Sequence, residues 1–508
     1  MKRNMKSIIT ALLILITLKS QAQLNDTILY HEHFRPQVHF SSKAHWMNDP
    51  NGMVYFNHTY HLFFQYYPNG TTWGPMHWGH AISKDLIHWK ELPIALYPDS
   101  LGYIFSGSAV VDSNNTSGLG KGGKIPLVAI FTHDDPKGER AGRNDFQNES
   151  IAYSLDDGFT WTKYSGNPVL KNPGIRDFRD PSVMWYAPQR KWIMTLATKD
   201  RVTFYSSPNL KNWEKESDFG STLGAHTGVW ECPNLFLLKL NNKTHWVLTV
   251  SVNPGGPNGG SATQYFIGDF DGKTFTSINN TETHWVDYGP DDYAGVTWSN
   301  TGNRKIFLGW MSNWTYAGQV PTEKWRNDMT IPRVLGLKQE KNEILLTSMP
   351  VKELKQLELK TIDISPDKWK GKDIMALNNI QAKQYELKYS VEGLGDYKIT
   401  LSNDLGDKLV IGYNKTKNAY YIDRTKSGIT DFNPEFAKTI FAPRLTDDHQ
   451  ASMELVVDAS SIEVFADNGL SVLTSLFFPH KTYNHLVFKS EKGAIFENTT
   501  LIPLKSIW

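Results

Sequence analysis

The chain has 508 residues and a formal net charge of +1, and aromatic residues make up 13% of the sequence. Because this length exceeds what a single ordinary core holds, we expect two domains. The near-neutral charge and the lack of a basic run argue against nucleic acid or another polyanion as a partner, and the single cysteine, Cys232, excludes an internal disulfide.

The N-terminus has the pattern of a secretory signal peptide. Lys2, Arg3 and Lys6 precede an apolar run at residues 8–18, which is shorter than the ~20 residues that a membrane-spanning helix needs. We expect residues 1–22 to be removed after Ala22. This leader has four basic residues and no acidic one, so the mature chain is near −3. We therefore expect a periplasmic or secreted protein without a membrane anchor.

Three short motifs place a carboxylate one or two residues before a proline, at the start of a strand-like run. They are WMNDPNG at 46–52, RDPSV at 179–183 and WECPNL at 230–235. Their similarity suggests one structural position that recurs around a fold and carries an acid each time, here Asp49, Asp180 and Glu231. Glycoside chemistry needs such carboxylates, because one attacks the anomeric carbon or activates water and another protonates the leaving oxygen.

Residues 34–346 alternate between short β-type segments and turn residues, without helical periodicity. Candidate starts of repeated units lie about 50 to 75 residues apart, at Asp49, Ser106, Asp180, Glu231 and Asp292. Units of this size, each a sheet of about four strands, predict a five-bladed β-propeller at residues 23–346. Since the first strand of each blade lines the central channel, the distant acids would meet in one funnel.

A second repeat runs from a Ser through an Asp or Asn turn to a Trp or Phe, and predicts hairpin turns between outer strands. Its copies lie at 83–89, 154–161, 207–213 and, in degenerate form, 269–275. Beyond a connector at 347–360, residues 361–508 show apolar and polar residues in alternation, which predicts an antiparallel β-sandwich. This second domain has no acid cluster, so we assign it a structural or accessory role.

The mature chain resembles glycoside hydrolase family 32, the β-fructofuranosidases that include invertases, inulinases and levanases. The resemblance is carried by segments 46–52, 105–108, 178–181, 230–233, 292–294 and 310–314, with 461–465 and 477–479 in the second domain. It implies a five-bladed propeller followed by a sandwich, as the repeats also predict. No motif in the sequence requires a metal or organic cofactor.

The resemblance also implies residue roles. Asp49 would be the nucleophile that forms a covalent intermediate at fructosyl C2, and Glu231 would act first as general acid and then as base. Asp180 would hold fructose hydroxyls and stabilise the transition state. The residues implied to shape the terminal-fructose pocket are Asn48, Gln65, Trp73, Phe105, Ser106, Arg179, Asp292 and Trp310. Because Asp291 adjoins Asp292, one of the two could instead cap a turn.

The chemistry requires Asp49 ionised and Glu231 protonated, so their surroundings must differ. Trp230 and Cys232 give Glu231 a less polar setting, and Arg179 should favour the ionised form of Asp180. We interpret Cys232 as a small buried residue rather than a nucleophile. We predict a separation of ~5–5.5 Å between the carboxyl groups of Asp49 and Glu231, as in retaining enzymes.

Several functions remain open at this point. The leading hypothesis is a retaining hydrolase that removes terminal fructose from levan, inulin or short fructans, with sucrose as a further candidate. An endo-levanase and a fructosyl transferase use the same chemistry, and a noncatalytic fructan-binding protein is the alternative from another class. The expected partner is a fructan or fructo-oligosaccharide, and the protein is expected to be a monomer or weak homo-oligomer. The linkage preference stays open.

Overall fold

The computed structural model describes residues 30–278, 282–364, 371–490 and 493–508, so the predicted signal peptide lies outside the described residues. The described chain consists largely of β-strands, which confirms the all-β prediction. Its helices are two short α-helices, α1 (Pro136–Arg140) and α2 (Ile374–Asn378), and two 3-10 helices, Ala187–Gln189 and Lys352–Leu357. In these ranges we find no helix with the length and apolar character to cross a membrane.

The strands described between residues 45 and 350 form five mainly antiparallel sheets that follow one another along the chain. In chain order the strands are β1 (His45–Phe56), β2 (Thr59–Tyr67), β3 (His77–Ser83), β4 (Trp89–Leu96), β5 (Tyr103–Val111), β6 (Leu127–Asp134), β7 (Gln147–Ser154), β8 (Thr162–Lys163), β9 (Phe178–Tyr186), β10 (Lys191–Thr198), β11 (Val202–Ser207), β12 (Glu214–Phe219), β13 (Val229–Leu240), β14 (Lys243–Asn253), β15 (Ala262–Phe270), β16 (Phe275–Ser277), β17 (His284–Trp285), β18 (Tyr293–Thr297), β19 (Ile306–Met311), β20 (Trp325–Arg326), β21 (Asp328–Met329), β22 (Arg333–Glu340) and β23 (Glu343–Pro350).

The first strands of these sheets, β1, β5, β9, β13 and β18, contact one another in turn, and β18 contacts β1, which closes a ring. Strand β20 adds a further link, because it pairs in parallel with β1 and places His45 opposite Trp325. Apolar residues of adjacent sheets pack together, as Ile130 of β6 does with Met194 of β10. Sheets that radiate from a ring of first strands form a β-propeller, as predicted.

The Ser-to-Trp repeats connect the third and fourth strands of their sheets, which confirms the predicted hairpin turns. They lie between β3 and β4, β7 and β8, and β11 and β12, and the degenerate copy lies between β15 and β16. In the first three, the indole N–H of the final Trp donates to a backbone carbonyl three residues earlier; these residues are Trp89, Trp161 and Trp213. Each of these turns is therefore closed by its own side chain.

The C-terminal strands form two sheets that pack face to face, which confirms the β-sandwich. Their strands are β24 (Ile362–Asp363), β25 (Tyr385–Glu392), β26 (Tyr397–Ser402), β27 (Lys408–Asn414), β28 (Ala419–Lys426), β29 (Thr439–Pro443), β30 (Gln450–Val457), β31 (Ser461–Ala466), β32 (Ser471–Leu476), β33 (His485–Ser490) and β34 (Ile495–Pro503). One sheet has the order β24-β34-β25-β30-β31-β32 and the other β29-β28-β27-β26-β33. Leu387 and Leu455 of the first sheet share a core with Ile399 and Ile411 of the second.

Two buried arginines join the propeller to the sandwich. Arg333 of β22 donates from Nε to Glu463 of β31 at 2.8 Å, and Arg424 of β28 donates to Asp291 of the propeller at 2.6 Å. Buried charges are tolerated where they are paired and hydrogen-bonded. These pairs therefore fix how the two domains meet.

Candidate active site

Each of the five first strands contains a β-bulge at the same point. At each bulge the first strand has one residue more than the neighbouring strand between two successive paired positions. The paired residues that flank the extra one are Met47 and Pro50, Ile104 and Gly107, Arg179 and Ser182, Glu231 and Asn234, and Tyr293 and Val296. Bulges re-aim side chains and are common beside active sites. The ring of bulges therefore marks one end of the channel as a candidate site.

The amino-acid sequence explains why the ladder shifts there. Proline has no N–H to donate to a ladder, and Pro50, Pro181 and Pro233 stand in or directly after the bulges of β1, β9 and β13. On β5 and β18 the corresponding residues are glycines, Gly107 directly after one bulge and Gly295 within the other. A Cβ on Gly107 would lie 2.0 Å from a carbonyl oxygen of β6, and one on Gly295 would lie 1.9 Å from a phenylalanine ring.

The three predicted acids occupy three successive positions of this bulge. Glu231 is the last paired residue before it, Asp180 is the first bulged residue of its strand, and Asp49 is the second. We expected the acids at one equivalent position of each sheet. This expectation is wrong, because the three positions differ by one residue from strand to strand. Asp180 also has a positive φ of 63°, a conformation that non-glycine residues adopt uncommonly and that re-aims its side chain.

Asp49 is held by two neutral donors. The Nδ2 group of Asn48 donates to Oδ1 at 3.0 Å, and the hydroxyl of Ser106 donates to Oδ2 at 2.8 Å. The sulfur of Cys232 lies 3.7 Å from Oδ2. Burial raises the pKa of Asp49, and the nearby charge of Glu231 raises it further, against the two hydrogen bonds. The two carboxyl groups therefore lie within electrostatic reach of each other.

Glu231 has a cationic partner and a hydroxyl partner. Arg179 donates to Oε1 from Nε at 3.2 Å and from Nη2 at 2.9 Å, and the phenol of Tyr293 donates to Oε2 through a short hydrogen bond. Arg179 is oriented in turn by Asp177, whose Oδ1 accepts from Nη1 at 2.7 Å. Asp177 thus belongs to the site through Arg179.

Asp180 accepts a hydrogen bond from the backbone N–H of Cys232 at 3.1 Å. Burial raises the pKa of Asp180 from 3.8 to about 7, since the opposing effect of Arg179 is smaller and Glu231 and Asp49 add to the increase. Arg179 does favour the ionised form of Asp180, as expected, but burial outweighs this effect. Arg179 directs its hydrogen bonds to Glu231 and Asp177, and its Nε lies 4.0 Å from the Asp180 carboxylate.

Cys232 lies between the acids and is buried, as predicted. Its backbone serves Asp180 and its sulfur faces Asp49. Burial raises the pKa of the Cys232 thiol well above its ordinary value, and the three surrounding carboxylates raise it further. Because the thiolate is the nucleophilic form, this environment favours an inert, space-filling thiol.

The predicted pocket residues take different places. Gln65 lies on β2 opposite the bulge of β1 and is buried, and its Nε2 has no hydrogen-bond partner in the described residues. Trp73 is 46% exposed, and its ring centroid lies 6.1 Å from that of Phe105. Trp310 is fully buried, 6.1 Å from the ring of Trp46. Trp73 is therefore exposed to a ligand, whereas Gln65 and Trp310 are buried, and the ring nitrogen of Trp310, like Nε2 of Gln65, has no hydrogen-bond partner in the described residues.

The structure does not bring the carboxylate of Asp292 to the other acids. Its Oδ2 accepts from Nη1 of Arg333 at 2.9 Å, and the residue is completely buried at the junction with the sandwich. Side chains alternate along a strand, so it is the next residue, Tyr293, that points to Glu231. Sequence reasoning assigned no role to Tyr293. Its equivalence to Glu231, as the last paired residue before a bulge, is the signal that identifies it.

Below the acids, a cavity of about 400 Å³ follows the propeller axis, and Ser106, Asp180 and Cys232 are among the residues that line it. Within the described residues, no group of three or more His, Cys, Asp or Glu side chains is arranged to hold a metal ion. The site thus offers three carboxylates, one guanidinium and one phenol, which are groups suited to proton transfer and nucleophilic attack.

Comparisons with known proteins identify the family to which the chain belongs. The sequence model for the glycosyl hydrolases family 32 N-terminal domain matches residues 39–348, and the family 32 C-terminal model matches residues 352–504. A levanase of Bacillus subtilis (strain 168) is 44% identical over 526 residues, covering 100% of this chain and 76% of the levanase. An extracellular exo-inulinase of Aspergillus niger is 39% identical over 515 residues, covering 94% and 96%.

Solved structures agree. The crystal structure of an exo-inulinase from Aspergillus awamori superposes with a TM-score of 0.84 at 37% identity, covering 94% of this chain and 100% of that one. A fructofuranosidase from Schwanniomyces occidentalis, in complex with fructosylnystose, superposes with a TM-score of 0.85 at 32% identity, covering 94% and 99%. The chain therefore belongs to glycosyl hydrolases family 32 and is a glycoside hydrolase.

Proposed function

We propose that the protein is a retaining β-fructofuranosidase that releases terminal fructose from levan or inulin by exo action, with sucrose as a further substrate. The observation that carries this proposal is the pairing of Asp49 and Glu231, two carboxylates that influence each other electrostatically and are held by different donors. The named activities of the similar proteins, levanase and exo-inulinase, support the substrate class and the exo action. The extracellular inulinase also supports a periplasmic or secreted location.

The proposed reaction has two steps. In the first, a carboxylate oxygen of Asp49 attacks C2 of the terminal fructosyl unit, and the carboxyl proton of Glu231 passes to the departing glycosidic oxygen as its bond to C2 breaks. In the second, the Glu231 carboxylate takes a proton from water, the water oxygen bonds to C2, and the bond from C2 to Asp49 breaks. Two inversions at C2 retain the anomeric configuration.

The neighbours of the pair have distinct tasks in this scheme. Arg179 and Tyr293 both donate to Glu231, so they stabilise the carboxylate that the first step creates and the second step uses. Asp180 lies in the same cluster, and we assign it the fructose hydroxyls and the positive charge that develops on the sugar ring in the transition state.

The test is a time course of products from levan, inulin and sucrose, separated by chromatography. Wild-type protein should release fructose alone from the first time point. Asp49→Asn and Glu231→Gln should each lose at least ~10²–10⁴ of the rate, while a matched exposed control, Asp145→Asn, should match wild type. NMR of the first product should show the β-anomer; the α-anomer would contradict a covalent intermediate.

Other product patterns identify the alternatives. A ladder of oligosaccharides at early times would mean endo action. Transfer of fructose to a sugar acceptor in place of water would mean a transferase. Retained fructan binding without turnover of any of the three substrates by wild-type protein would mean a noncatalytic binding protein.

A further inference from the structure

A groove lies on the outer face of the five-stranded sheet of the sandwich, in the second domain and away from the catalytic acids. Its volume is about 550 Å³, within the ~300–1,000 Å³ typical of ligand pockets. Two aromatic residues, Tyr421 and Phe441, line it and are half-buried, and the charged residues around them reach solvent. Aromatic walls with a few polar groups are the usual composition of a small-molecule site.

A glycine makes the floor of the groove flat. Gly412 of β27 pairs with Tyr421 of β28, and a Cβ at this glycine would lie 2.7 Å from the Tyr421 hydroxyl oxygen. The ring of Tyr421 therefore lies across the backbone of β27, in space that any other residue would fill. Tyr421 pairs in turn with Phe441 of β29, and the two ring centroids are 6.1 Å apart at 45°. The two rings form one aromatic platform, and the ammonium of Lys417 lies over one face of Phe441, 3.8 Å from the ring centroid.

The groove carries charged groups of both signs. Lys398 is the partner of Gly412 on β26, and Lys489 is the partner of Lys398 on β33. Asp396 and Asp423 also line the groove. With Lys417 beside Phe441, three ammonium groups and two carboxylates surround the groove, and this mixture of signs disfavours a polyanion or polycation. They do offer hydrogen-bond donors and acceptors to a neutral ligand rich in hydroxyl groups.

The groove is connected to the active-site side of the propeller. Asn258, in the loop between β14 and β15, donates from Nδ2 to the carbonyl of Phe441 at 2.8 Å and accepts from its N–H at 3.0 Å. Val229 at the start of β13 pairs with Asn253 at the end of β14. This loop therefore emerges beside the end of β13 that carries Glu231, so a long chain could follow the surface from one site to the other.

We propose that this groove, formed by Asp396, Lys398, Tyr421, Asp423, Phe441 and Lys489, is an accessory binding site for the β-fructan chain that the active site degrades. The inference rests on the proposed function for the identity of the polymer. The aromatic platform takes the apolar C–H faces of the sugar units, and the charged side chains take their hydroxyls. Such a site retains a polymer at the enzyme but has no effect on sucrose, which is too short to reach both places.

The test compares wild-type protein with the double variant Tyr421→Ala/Phe441→Ala. We expect its KM for levan or inulin to rise about tenfold, the equivalent of about 1.4 kcal/mol, with kcat/KM for sucrose unchanged. Tyr421→Phe, which keeps the ring, should behave like wild type. The control Phe159→Ala removes an exposed ring of the propeller and should leave both substrates unaffected.

Two results would overturn the inference: an unchanged KM for both polymers in the double variant, or an equal loss of activity on sucrose. Direct binding separates this inference from the proposed function. In an Asp49→Asn background, retardation in gels that contain levan or inulin should be lost with the double variant. If wild-type protein degrades neither polymer, the proposed function fails. In that case gel retardation alone tests the groove, and the absence of retardation by both polymers would overturn the inference.

Discussion

Replacing the buried Glu463 by Gln should lower the free energy of unfolding by about 1.5–3 kcal/mol, the contribution of a hydrogen bond to a charged group. One carboxylate oxygen accepts from Nε of Arg333 at 2.8 Å; the other accepts from the backbone N–H of Ile331 at 2.7 Å and lies 2.9 Å from Nε2 of His39. Gln has nearly the same shape but only one oxygen. Either the guanidinium or the other two groups would therefore face an amide NH₂ and lose a hydrogen bond, although Arg333 keeps Asp287 and Asp292 as ion-pair partners at 2.9 Å.

The same network predicts how this stability depends on pH. Burial alone would lower the pKa of His39, but hydrogen bonds to Asp458 and Glu463 outweigh it and raise the pKa from 6.5 to about 9. The stabilisation is complete below pH 6.5 and is lost as the pH rises through 9. A change of this size in pKa corresponds to about 3 kcal/mol. Glu463→Gln removes one of the two acidic partners, so it should flatten this decline.

Urea unfolding followed by tryptophan fluorescence measures both effects, at neutral pH and across the alkaline range. The matched control is Glu454→Gln, on the neighbouring strand β30, because its carboxylate is partly exposed and lies 3.5 Å from Lys388. Such a surface pair contributes at most ~1 kcal/mol. If the two variants unfold at the same urea concentration, the buried network does not stabilise the domain junction.

Two further substitutions test the site. Tyr293→Phe removes the phenol that donates to Glu231, and since a hydrogen bond to a charged group contributes ~1.5–3 kcal/mol, kcat/KM should fall about 10- to 100-fold. The control is Tyr265→Phe, at a buried tyrosine of β15, and equal kcat/KM values for the two variants would contradict the role of Tyr293. Asp180→Asn should abolish activity yet stabilise the protein at alkaline pH, because burial raises the pKa of Asp180 from 3.8 to about 7. In the wild-type protein the loss of stability caused by the Asp180 charge is absent below pH 3.8 and develops as the pH rises through 7, up to about 4 kcal/mol. Denaturant unfolding of the variant should therefore show higher stability than wild type at alkaline pH and no difference at low pH. An equal increase in stability at both pH values would argue against titration of this group.

Local sequence rules predicted the elements of this fold because the signals are local. A Pro that cannot donate to a ladder, and a Ser-to-Trp turn that closes on itself, act within a few residues. These rules did not predict which side chains contact each other in the active site. Arg179 donates to a carboxylate 52 residues later in the chain, and the direction of Asp292 depends on where the bulge of β18 falls. Both are set by the packing of adjacent sheets, which a single sequence does not display.

The ring of bulges also explains how one repeated device produces acids with different chemistry. Because the acids stand one position apart within equivalent bulges, each faces different neighbours. Glu231, still on the ladder, meets the cationic Arg179. Asp180, one residue further into its bulge, meets a backbone N–H and little else, and burial raises its pKa. Asp49, one residue further again, meets the neutral donors Asn48 and Ser106. Similar carboxylates can take separate protonation states only if their surroundings differ, and a shift of one residue between blades is enough to create that difference.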